Sequence, residues 1–453
     1  MNKRVHLIGI GGIGMSAIAH LLLKQGVKVS GSDVKSSRII DGLKSAGANI
    51  FIGHEASNVN GSDVVVYSSA IKADNPEYAR AKESGAILVR RAQALAELMQ
   101  DRVVIAVAGS HGKTTTSSLC SLMLIDAGLR PTIAVGGILK NIAANVYFGD
   151  GDYFVAEADE SDGSFLDYKP TYSIITNIDH EHLDYYGDFK SEVKAFGAFI
   201  NNTLEQGCVF YCADDLVLRD LLKNSSKRKI MFGLKDYADI YPVNIRTQGL
   251  SSEFDVFYRN KFIDTFNLSL GGEHNISNAL AAIALGLELD IDTGSIKNTL
   301  LNFKGAGRRL EIKFNDNDFM LLDDYAHHPT EIKASLGALK NLGRKRIIAV
   351  FQPHRYSRTQ NLLDEFASCF AHADYLILTD IYPAGEPVIP GVDAQLLFER
   401  VKKYAPSKKV VYLPKEDIIA HILKIRQPHD LAVTLGAGDI SRISDELAQR
   451  IKQ

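Results

Sequence analysis

A chain of 453 residues is too long for one ordinary hydrophobic core, so two or three domains are expected. Hydrophobic residues make up 46% and charged residues 23%, as in soluble globular proteins, and a net charge of −3 argues against a bulk nucleic-acid binder. No apolar run reaches the ~18 residues of a membrane span, and the four scattered cysteines predict neither a zinc site nor a disulfide framework, which favours a cytoplasmic protein.

The first hundred residues alternate short apolar runs with helical stretches. Strands are predicted at VHLIGI and VKVSGSD, and each is followed by a predicted helix, over residues 15–25 and 37–46. Further strand-like runs follow at residues 48–52, 64–67 and 87–89. This alternation predicts a first domain, residues 1–100, built on a parallel sheet with helices on both faces.

A glycine pattern separates the first strand from the first helix. Gly9, Gly11 and Gly14 have the spacing G-x-G-x-x-G, and Asp33 ends the next strand. This is the dinucleotide-binding fingerprint, in which the glycines let the backbone approach a diphosphate and the acid accepts hydrogen bonds from a sugar hydroxyl. NAD fits this loop and a UDP-sugar fits it equally well, whereas a tight turn without a ligand leaves the acid unexplained.

A second α/β unit begins at VVIAVAG, residues 103–109. Its later strands are predicted at residues 132–135, 153–158, 172–176 and 208–212. Alternating polar and apolar residues from about 238 to 270 predict antiparallel ribbons, and an Ala- and Leu-rich helix is predicted over residues 276–289. These elements predict a central domain, residues 101–307, with a mostly parallel sheet and a small antiparallel ribbon.

The stretch AGSHGKTTT forms a glycine-rich loop between a predicted strand and a predicted helix. Gly109 lies four residues before Lys113, two fewer than in the usual phosphate-binding loop. Successive backbone N–H groups would still bind phosphate, Lys113 would reach the terminal phosphates, and a Thr114 or Thr115 hydroxyl would meet magnesium. The alternative is a simple Gly-Lys turn, which the coincidence of strand, loop and helix start disfavours.

Acidic residues follow two of the predicted central strands. Glu157 lies near the C-terminal end of its strand, where parallel sheets bind ligands, and is the predicted magnesium ligand. Asp159, Glu160 and Asp162 come next, and one or two of them are expected to lie in a solvated turn. After the following strand, two histidines and three acids occupy residues 179–184, a density that indicates a site although magnesium prefers oxygen ligands.

Two asparagines lie near the start of the predicted Ala- and Leu-rich helix. Asn275 and Asn278 are three residues apart, so they share one helix face. Capping of the helix by Asn275 and recognition of an adenine edge by the pair both fit this pattern.

A third α/β unit is predicted over residues 308–453, after a linker at Gly305–Gly307. Its strands are predicted at residues 319–323, 346–351, 375–378, 410–413 and 431–435. Two polar clusters directly follow apolar strands, namely DDYAHH at residues 323–328 and PHRYSR at residues 353–358. Arginine at a strand end suits bidentate capture of a carboxylate or phosphate, and this function is favoured over scattered surface charge.

An ordered series of motifs resembles the Mur ligases of peptidoglycan synthesis and covers essentially the whole chain. The motifs are GIGGIGMSAIA, YSSAIKADNPE, RRAQALAELM, AGSHGKTTT, EADESDGSFL, TNIDHEHLD, GEHNISNALAA, GRRLEI, DDYAHHPTE, FQPHRYSRT, YPAGEPVIPG and LGAGDIS. The resemblance implies an N-terminal Rossmann-like domain for a UDP-sugar, a central P-loop ATPase and a C-terminal Rossmann-like domain, and the short loop matches the family pattern G-[ST]-x-G-K-T-[ST]. The implied reaction uses ATP and two magnesium ions to join L-alanine to UDP-N-acetylmuramate, giving ADP, phosphate and UDP-N-acetylmuramoyl-L-alanine.

The resemblance also implies roles for individual residues. UDP-sugar binding falls on Gly9, Gly11, Gly12, Gly14, Met15, Asp33, Ser69 and Arg91. ATP binding falls on Gly109, Ser110, His111, Gly112, Lys113, Thr114, Thr115, Asn275, Asn278, Arg309 and Asp324. L-Alanine binding falls on Tyr325, His327, His354, Arg355 and Arg358, and metal binding on Thr114, Glu157 and His182, the last with a second magnesium. Catalysis is assigned to Lys113, Glu157, His182, Arg309 and Asp324.

One departure from the family concerns the second metal. Several sister ligases use a carbamylated lysine downstream of the position of His182. Lys190 and Lys194 lie in that region, but neither has the matching spacing, so no lysine is assigned.

Rival interpretations explain less of the chain. A ligase that joins a tripeptide to UDP-N-acetylmuramate shares the fold and loop, but ADESDGSFL and YPAGE fit the addition of L-alanine better. Folate polyglutamate ligases share the central loop and lack an N-terminal G-x-G-x-x-G domain of this kind. An NAD-dependent dehydrogenase or nucleotide-sensing regulator would leave the Lys113 loop and the C-terminal arginines unexplained. A monomer or weak homodimer without nucleic-acid or membrane partners is expected.

Overall fold

The structure is a computed structural model that describes residues 3–68 and 70–452. The chain divides into two compact units. The first comprises residues up to 243 together with 255–266 and 277–304, and the second comprises residues 244–254, 267–276 and 305–453. Within the described ranges, no helix combines the length and apolarity that a bilayer crossing requires.

The first hundred residues form a parallel five-stranded sheet with helices. The strands are β1 (Arg4–Ile8), β2 (Lys28–Asp33), β3 (Asn49–Ile52), β4 (Val64–Tyr67) and β5 (Ile87–Arg90). The helices are α1 (Ile13–Lys24), α2 (Arg38–Ser45), α3 (Pro76–Ser84) and α4 (Arg91–Leu98), with a 3-10 turn at Ala56–Val59. The strand order is β3-β2-β1-β4-β5, with parallel pairing. The order reverses beside β1, so the crevice at the carboxyl end of β1 is the ligand position expected of such a sheet.

The central elements form a ten-stranded sheet. Its strands are β6 (Val103–Ala108), β7 (Thr132–Leu139), β8 (Ala144–Tyr147), β9 (Tyr153–Glu157), β10 (Tyr172–Ile175), β11 (Cys208–Cys212), β12 (Lys229–Phe232), β13 (Ile240–Gln248), β14 (Ser251–Tyr258) and β15 (Lys261–Leu268). Its helices are α5 (Lys113–Asp126), α6 (Leu183–Tyr186), α7 (Phe189–Asn201), α8 (Leu216–Lys223), α9 (Glu273–Glu288) and α10 (Thr293–Asn302), with a 3-10 turn at Ser164–Asp167. The strand order is β15-β14-β13-β12-β11-β10-β6-β9-β7-β8.

Strand β6 has a central place in this sheet. It pairs in parallel with β9 on one side and with β10 on the other, so the carboxyl ends of these three strands share one edge. Helix α5 follows β6 and is buried from Thr115 to Leu124, because small and apolar residues occupy every face. The sheet thereby holds the loop before α5 between the segments that follow β9 and β10.

Several details of the central region differ from the sequence-based expectation, and β7 extends to Leu139, four residues beyond its predicted end. The strands β8 and β12 were not predicted, since each has only four residues and lies outside the clear apolar runs. Helix α9 begins at Glu273, three residues before the predicted start at 276. Asn275 therefore lies inside the helix, and the capping interpretation for this residue is wrong.

The C-terminal region forms a six-stranded sheet. Its strands are β16 (Glu311–Asn315), β17 (Phe319–Asp324), β18 (Arg346–Phe351), β19 (Tyr375–Leu378), β20 (Lys409–Tyr412) and β21 (Asp430–Leu435). Its helices are α11 (Pro329–Lys340), α12 (Tyr356–Asn361), α13 (Leu363–Cys369), α14 (Ala394–Tyr404), α15 (Lys415–Ile425) and α16 (Ser441–Lys452). The order is β16-β17-β21-β18-β19-β20, parallel except for the edge strand β16, which was not predicted. Apolar clusters that include Leu322 and Leu321 involve alternating residues of β17 and so cover the two faces of the sheet.

Candidate active site

The loop between β6 and α5 has the backbone geometry of an anion-binding turn. Gly109 and Gly112 have φ values of +129° and +83°, which residues other than glycine rarely adopt. A Cβ at Gly109 would lie 2.1 Å from the Thr176 Oγ1 atom, so glycine is also required by the space available. Helix α5 starts at Lys113 and directs its first free N–H groups towards this loop.

Residues after β10 hold the loop in place. The backbone N–H of His111 donates to the Asn177 side-chain oxygen at 2.8 Å, and the Asn177 amide nitrogen donates to the His111 carbonyl at 3.0 Å. The Thr176 hydroxyl donates to the same carbonyl at 2.5 Å. The Ser110 hydroxyl accepts from the backbone N–H of Asp179 at 2.8 Å. These bonds hold the loop in shape without a ligand, and no sequence motif indicated the role of Asn177.

Thr114 and Glu157 meet as predicted for a magnesium site. The Thr114 hydroxyl lies 3.1 Å from each carboxylate oxygen of Glu157, which is the last residue of β9. The Gly136 backbone N–H donates to Glu157 at 2.8 Å. Desolvation raises the pKa of Glu157, and the charge of Lys113 opposes that rise. A hydroxyl and a carboxylate are oxygen ligands of the kind that magnesium prefers, so these residues fit the ion.

The Lys113 side chain is folded back onto its own loop and onto Glu160. Its ammonium group donates to the carbonyls of Gly109 at 2.6 Å and Ser110 at 3.2 Å, and it lies 2.7 Å from Glu160 Oε1. Burial alone would lower the pKa of Lys113, but the charges of Glu160, Asp159 and Glu157 raise it above its ordinary value. Lys113 is therefore charged, and a phosphate would have to replace Glu160 as its partner.

The acids after β9 divide between a turn and the site. Asp159 and Asp162 accept backbone N–H groups of the turn, from Ser161 and Ser164 respectively, each at 3.1 Å. Glu160 is fully buried and pairs with Lys113. The expectation that one or two of these acids lie in a turn is confirmed. Glu160 is the acid of this segment that pairs with Lys113, at the end of the loop between β6 and α5.

A second acidic cluster surrounds His182. Its Nε2 atom lies 3.5 Å from Glu160 and 3.6 Å from Glu181, and one ligand atom of each of these three residues lies within 4.8 Å of the others. His182 has a φ of +55°, a conformation that is uncommon outside glycine and is often found at functional sites. Glu192, on α7, is fully buried, and desolvation together with the charges of Glu160 and Glu181 raises its pKa to about 8.

The glycine loop after β1 closes on Asp33. The backbone N–H of Gly11 donates to Asp33 Oδ2 at 2.9 Å, and a Cβ at Gly11 would lie 2.8 Å from that oxygen. Gly9 has a φ of +75°. Met15 is packed in the domain core, so its side chain supports the loop from below. Ser69 lies outside the described residues.

Arg91 connects this glycine loop with the acidic loop of the central sheet. It is the first residue of α4, and a Cβ on Gly14 would lie 3.1 Å from one of its guanidinium nitrogens. Another guanidinium nitrogen lies 3.6 Å from Asp159. One side chain therefore lies beside both predicted nucleotide sites.

In helix α9, the two asparagines have different surroundings. Asn278 lies against the loop before α5, because a Cβ on Gly112 would lie 2.6 Å from its side-chain oxygen. Asn275 donates from its side-chain amide to the Gly271 carbonyl at 2.8 Å.

Asp324, in the second unit, is a buried acid whose carboxylate accepts hydrogen bonds from two backbone N–H groups and one hydroxyl. It accepts the N–H groups of Leu310 at 2.9 Å and Ala326 at 2.8 Å, and the Ser335 hydroxyl at 3.2 Å. Burial raises its pKa to about 6, although the charge of Arg309 opposes the rise. The Arg309 guanidinium lies over the Tyr325 ring at 5.3 Å from its centroid.

The residues predicted for L-alanine gather around a row of rings. Tyr325 and His327 are 5.3 Å apart by ring centroids, His327 and His354 are 5.6 Å apart, and His354 stacks on Tyr382 at 5.6 Å. Arg358 lies 3.2 Å from the His354 ring nitrogen. Burial and the nearby cationic groups lower the pKa of His354 to about 3, so this imidazole is neutral.

Arg355 is held in a strained backbone conformation at this row. Its φ is +71°, and its backbone N–H donates to the Tyr382 carbonyl at 2.8 Å. Its guanidinium lies 3.9 Å from Glu386, which also accepts the Ser357 N–H at 3.1 Å and the Ser357 hydroxyl at 2.6 Å. Glu386 and Tyr382 belong to the motif YPAGE, and the sequence analysis assigned no role to either residue.

Three family models match successive segments of the chain. They are the Mur ligase family catalytic domain at residues 4–103, the Mur ligase middle domain at residues 107–286, and the Mur ligase glutamate ligase domain at residues 308–438. The UDP-N-acetylmuramate–L-alanine ligase of Geotalea uraniireducens is 44% identical over 451 residues, covering 99% of this chain and 98% of the relative. The chain belongs to the Mur ligase family. A ligase with the same name from Desulfatibacillum aliphaticivorans is 45% identical over 449 residues, covering 98% of both chains.

Solved structures agree with the Mur ligase fold. The UDP-N-acetylmuramate–alanine ligase of Thermotoga maritima has a TM-score of 0.84 at 29% identity, with 99% of each chain covered. A murein peptide ligase from Psychrobacter arcticus has a TM-score of 0.72 at 26% identity, with 99% and 98% covered. The predicted fold, three Mur ligase domains of mixed α/β structure with mostly parallel sheets, is confirmed.

Proposed function

We propose that this Mur ligase joins L-alanine to UDP-N-acetylmuramate at the expense of ATP, forming ADP, phosphate and UDP-N-acetylmuramoyl-L-alanine in peptidoglycan synthesis. The observation that carries the proposal is the loop of Lys113 with Thr114 and Glu157 at one sheet edge, connected through Arg91 to the glycine loop of the first domain. The names of the full-length relatives support the same reaction.

The chemistry explains why an ATPase site and a nucleotide-sugar site occur together. A carboxylate does not react with an amine at neutral pH, because its leaving group is poor. Transfer of the γ-phosphoryl group to the lactyl carboxylate gives an acyl phosphate with a good leaving group. Lys113 and the N-terminus of α5 would reduce the repulsion between the two anions and stabilise the charge that moves between them. Magnesium, when bound at Thr114 and Glu157, supplies further charge compensation.

The amino acid would bind in the second unit. Arg355 and Arg358 would hold its carboxylate by charge-assisted hydrogen bonds, with Tyr325, His327 and His354 around its small side chain. The amine attacks the acyl phosphate only when it is neutral, so its ammonium group must first lose a proton. His354 is already neutral, and its Nδ1 atom accepts a hydrogen bond from Arg358 at 3.2 Å, so its Nε2 atom carries the proton and can donate.

We further propose that the first, central and third domains span residues 1–100, 101–307 and 308–453, and that two magnesium ions bind, the second at His182. A cytoplasmic, monomeric or weakly dimeric protein is consistent with the nucleotide substrates and with the four buried, unpaired cysteines.

The test is phosphate release by the purified chain with ATP, UDP-N-acetylmuramate and an amino acid. Phosphate release should require both UDP-N-acetylmuramate and an amino acid. Its rate should be higher with L-alanine than with serine, glycine or the tripeptide. Lys113→Ala should abolish release while circular dichroism shows a folded protein, although loss of the partner of the buried Glu160 should lower the unfolding midpoint. Full activity of the folded variant would remove the P-loop from the proposal, and preference for the tripeptide would support the recycling ligase instead.

A further inference from the structure

Glu77 is a buried acid of the first hundred residues that the proposed reaction does not use. It lies in the first turn of α3, and its exposed fraction is 0%. Burial alone would raise the pKa of Glu77, but the polar groups of His6, Ser32 and Asn58 hold it below its ordinary value, so the carboxylate is ionised. The first turn of a helix favours an acid, but an exposed side chain would serve there equally well. The inward direction of this side chain therefore needs another explanation.

Three side chains converge on the two carboxylate oxygens of Glu77. The Ser32 hydroxyl donates to Oε2 at 2.5 Å, and the Asn58 amide donates to Oε1 at 2.6 Å. His54 Nδ1 lies 3.2 Å from Oε2 and 3.0 Å from the Ser32 oxygen. Because the Ser32 proton is directed to the carboxylate, this Nδ1 atom faces acceptors only and carries the imidazole proton. Glu77 thereby connects β2, the segment after β3 and the 3-10 turn at Ala56–Val59.

The Ser32 branch of this network ends at the glycine loop after β1. The Ser32 carbonyl accepts the backbone N–H groups of both Gly9 and Ile10, each at 2.9 Å. Ser32 itself is fully buried, and its side chain is bonded to Glu77. The position of the Ser32 carbonyl, and with it the start of the loop, therefore depends on this buried pair.

The Asn58 branch reaches the same loop through the next residue of β2. Besides its bond to the carboxylate, the Asn58 amide donates to the Gly53 carbonyl at 3.3 Å. The Gly53 N–H donates to the Asp33 carbonyl at 2.8 Å, and Asp33 accepts the Gly11 N–H through its side chain. The glycine loop is thus bonded to two adjacent residues of β2, and one buried carboxylate supports both.

We propose that Glu77 is a positioning residue for the UDP-sugar. It is fully buried and cannot reach a ligand, but it sets the place of the glycine loop that would bind the diphosphate. Backbone N–H groups bind phosphate only when their directions match the ligand, so a small displacement of Ser32 or Asp33 weakens these bonds together. The identity of the ligand rests on the proposed function, whereas the support of the loop by Glu77 does not.

Glu77→Gln disrupts this network with little change of shape. A glutamine offers one oxygen and one NH2 group where the glutamate offers two oxygens. Whichever way the amide is turned, its NH2 group faces either Asn58 or the pair Ser32 and His54, so one branch loses its acceptor. Glu83→Gln is the matched control, because it makes the same change on the same helix at a side chain that is 72% exposed.

Hydrogen exchange of the ligand-free full chain, measured by mass spectrometry, tests the support of the loop. In Glu77→Gln, the peptide that contains Gly9, Ile10 and Gly11 should exchange about 10-fold faster, the equivalent of one lost hydrogen bond. Peptides from β5 and α4 of the same domain should keep the parent rate, and Glu83→Gln should change none of them. An unchanged loop would overturn the proposal, and so would equal acceleration throughout the domain, which a merely structural role predicts.

Calorimetric titration with UDP and phosphate release at varied UDP-N-acetylmuramate test the consequence for the ligand. Glu77→Gln should raise the Kd for UDP and the KM for UDP-N-acetylmuramate about 10-fold. The KM values for ATP and alanine, measured with the other substrates saturating, should stay constant, because a smaller folded fraction would lower kcat alone. Ser32→Ala cuts one branch and should act in the same direction, so a folding failure of one variant leaves the other.

The two measurements separate this proposal from the proposed function. Faster exchange of the loop in Glu77→Gln with an unchanged Kd for UDP would refute the positioning role. Faster exchange of the loop in a chain whose parent form binds no UDP would instead refute the proposed function and support the role of Glu77 in holding the loop.

Discussion

Replacement of Gly109 by alanine should damage the loop before α5, the proposed phosphate-binding loop, in two ways. The new Cβ would lie 2.1 Å from Thr176 Oγ1 and 3.0 Å from both the backbone N and O of Asn177, so backbone atoms as well as a side chain would have to move. The φ of +129° is also unfavourable for any L-residue. The backbone conformation costs at least about 1–2 kcal/mol and overpacking about 1–3 kcal/mol, which gives a loss of roughly 2–5 kcal/mol in the free energy of unfolding.

Gly128→Ala is the matched control for this substitution. Gly128 has a φ of +73°, lies just after α5, and has no atom within 4 Å of an added Cβ, so only the backbone cost of about 1–2 kcal/mol should appear. Urea unfolding of both variants measures the difference, and phosphate release at varied ATP measures the effect on the loop. Gly109→Ala should be the less stable variant by about 1–3 kcal/mol and should raise the KM for ATP, while Gly128→Ala leaves that KM unchanged. Equal losses of stability with an unchanged KM in both would refute the reasoning.

Three further predictions concern residues that support the loops. Glu386→Gln can keep the bond from the Ser357 N–H and, with the donor and acceptor exchanged, the bond to the Ser357 hydroxyl, but it removes the charge 3.9 Å from Arg355. The KM for alanine should therefore change several-fold while the KM for ATP stays constant, and parallel changes in both would contradict the assigned role. Asn177→Ala removes two hydrogen bonds of about 1 kcal/mol each and should raise the KM for ATP about 10- to 30-fold, measured by phosphate release; an unchanged KM would show that the loop holds its shape without them. The pKa of His354 is lower in the folded protein, about 3, than in the unfolded chain, so protons favour unfolding below pH 6.5. Stability should fall by up to about 2 kcal/mol between pH 6.5 and 5, and His354→Phe should flatten this part of the profile; identical profiles would refute the shift.

The sequence predicted the sheets well because their central strands are short apolar runs with clear ends. The predicted bounds are confirmed for the strands Val64–Tyr67, Cys208–Cys212, Arg346–Phe351 and Tyr375–Leu378. The edge strands β8 and β16 were missed, because an edge strand has one exposed side and lacks the continuous apolar run of a buried one. The start of α9 was misplaced because its first turn, Glu273 to Asn275, is polar and resembles a loop.

The candidate site was predictable where a motif carries the chemistry itself. Thr114 and Glu157 come together as expected. Glu157 is the last residue of β9, and Thr114 lies at the start of α5, which follows the neighbouring strand β6. Asn177 and Glu192 could not be found in this way. The role of Asn177 depends on the pairing of β10 with β6, and the burial of Glu192 depends on which face of α7 is turned to the interior. The spacing of residues along the chain predicts neither.

Arg91 can couple the binding of the two proposed nucleotide substrates. Its guanidinium is near Gly14 on one side and Asp159 on the other, so a diphosphate at the glycine loop and a nucleotide beside the acidic loop would both change the surroundings of one cation. Thermodynamic linkage then requires that whatever factor ATP imposes on the affinity for the UDP-sugar, the UDP-sugar imposes the same factor on the affinity for ATP. A single arginine can in this way make two binding events cooperative without any movement of the sheets that hold it.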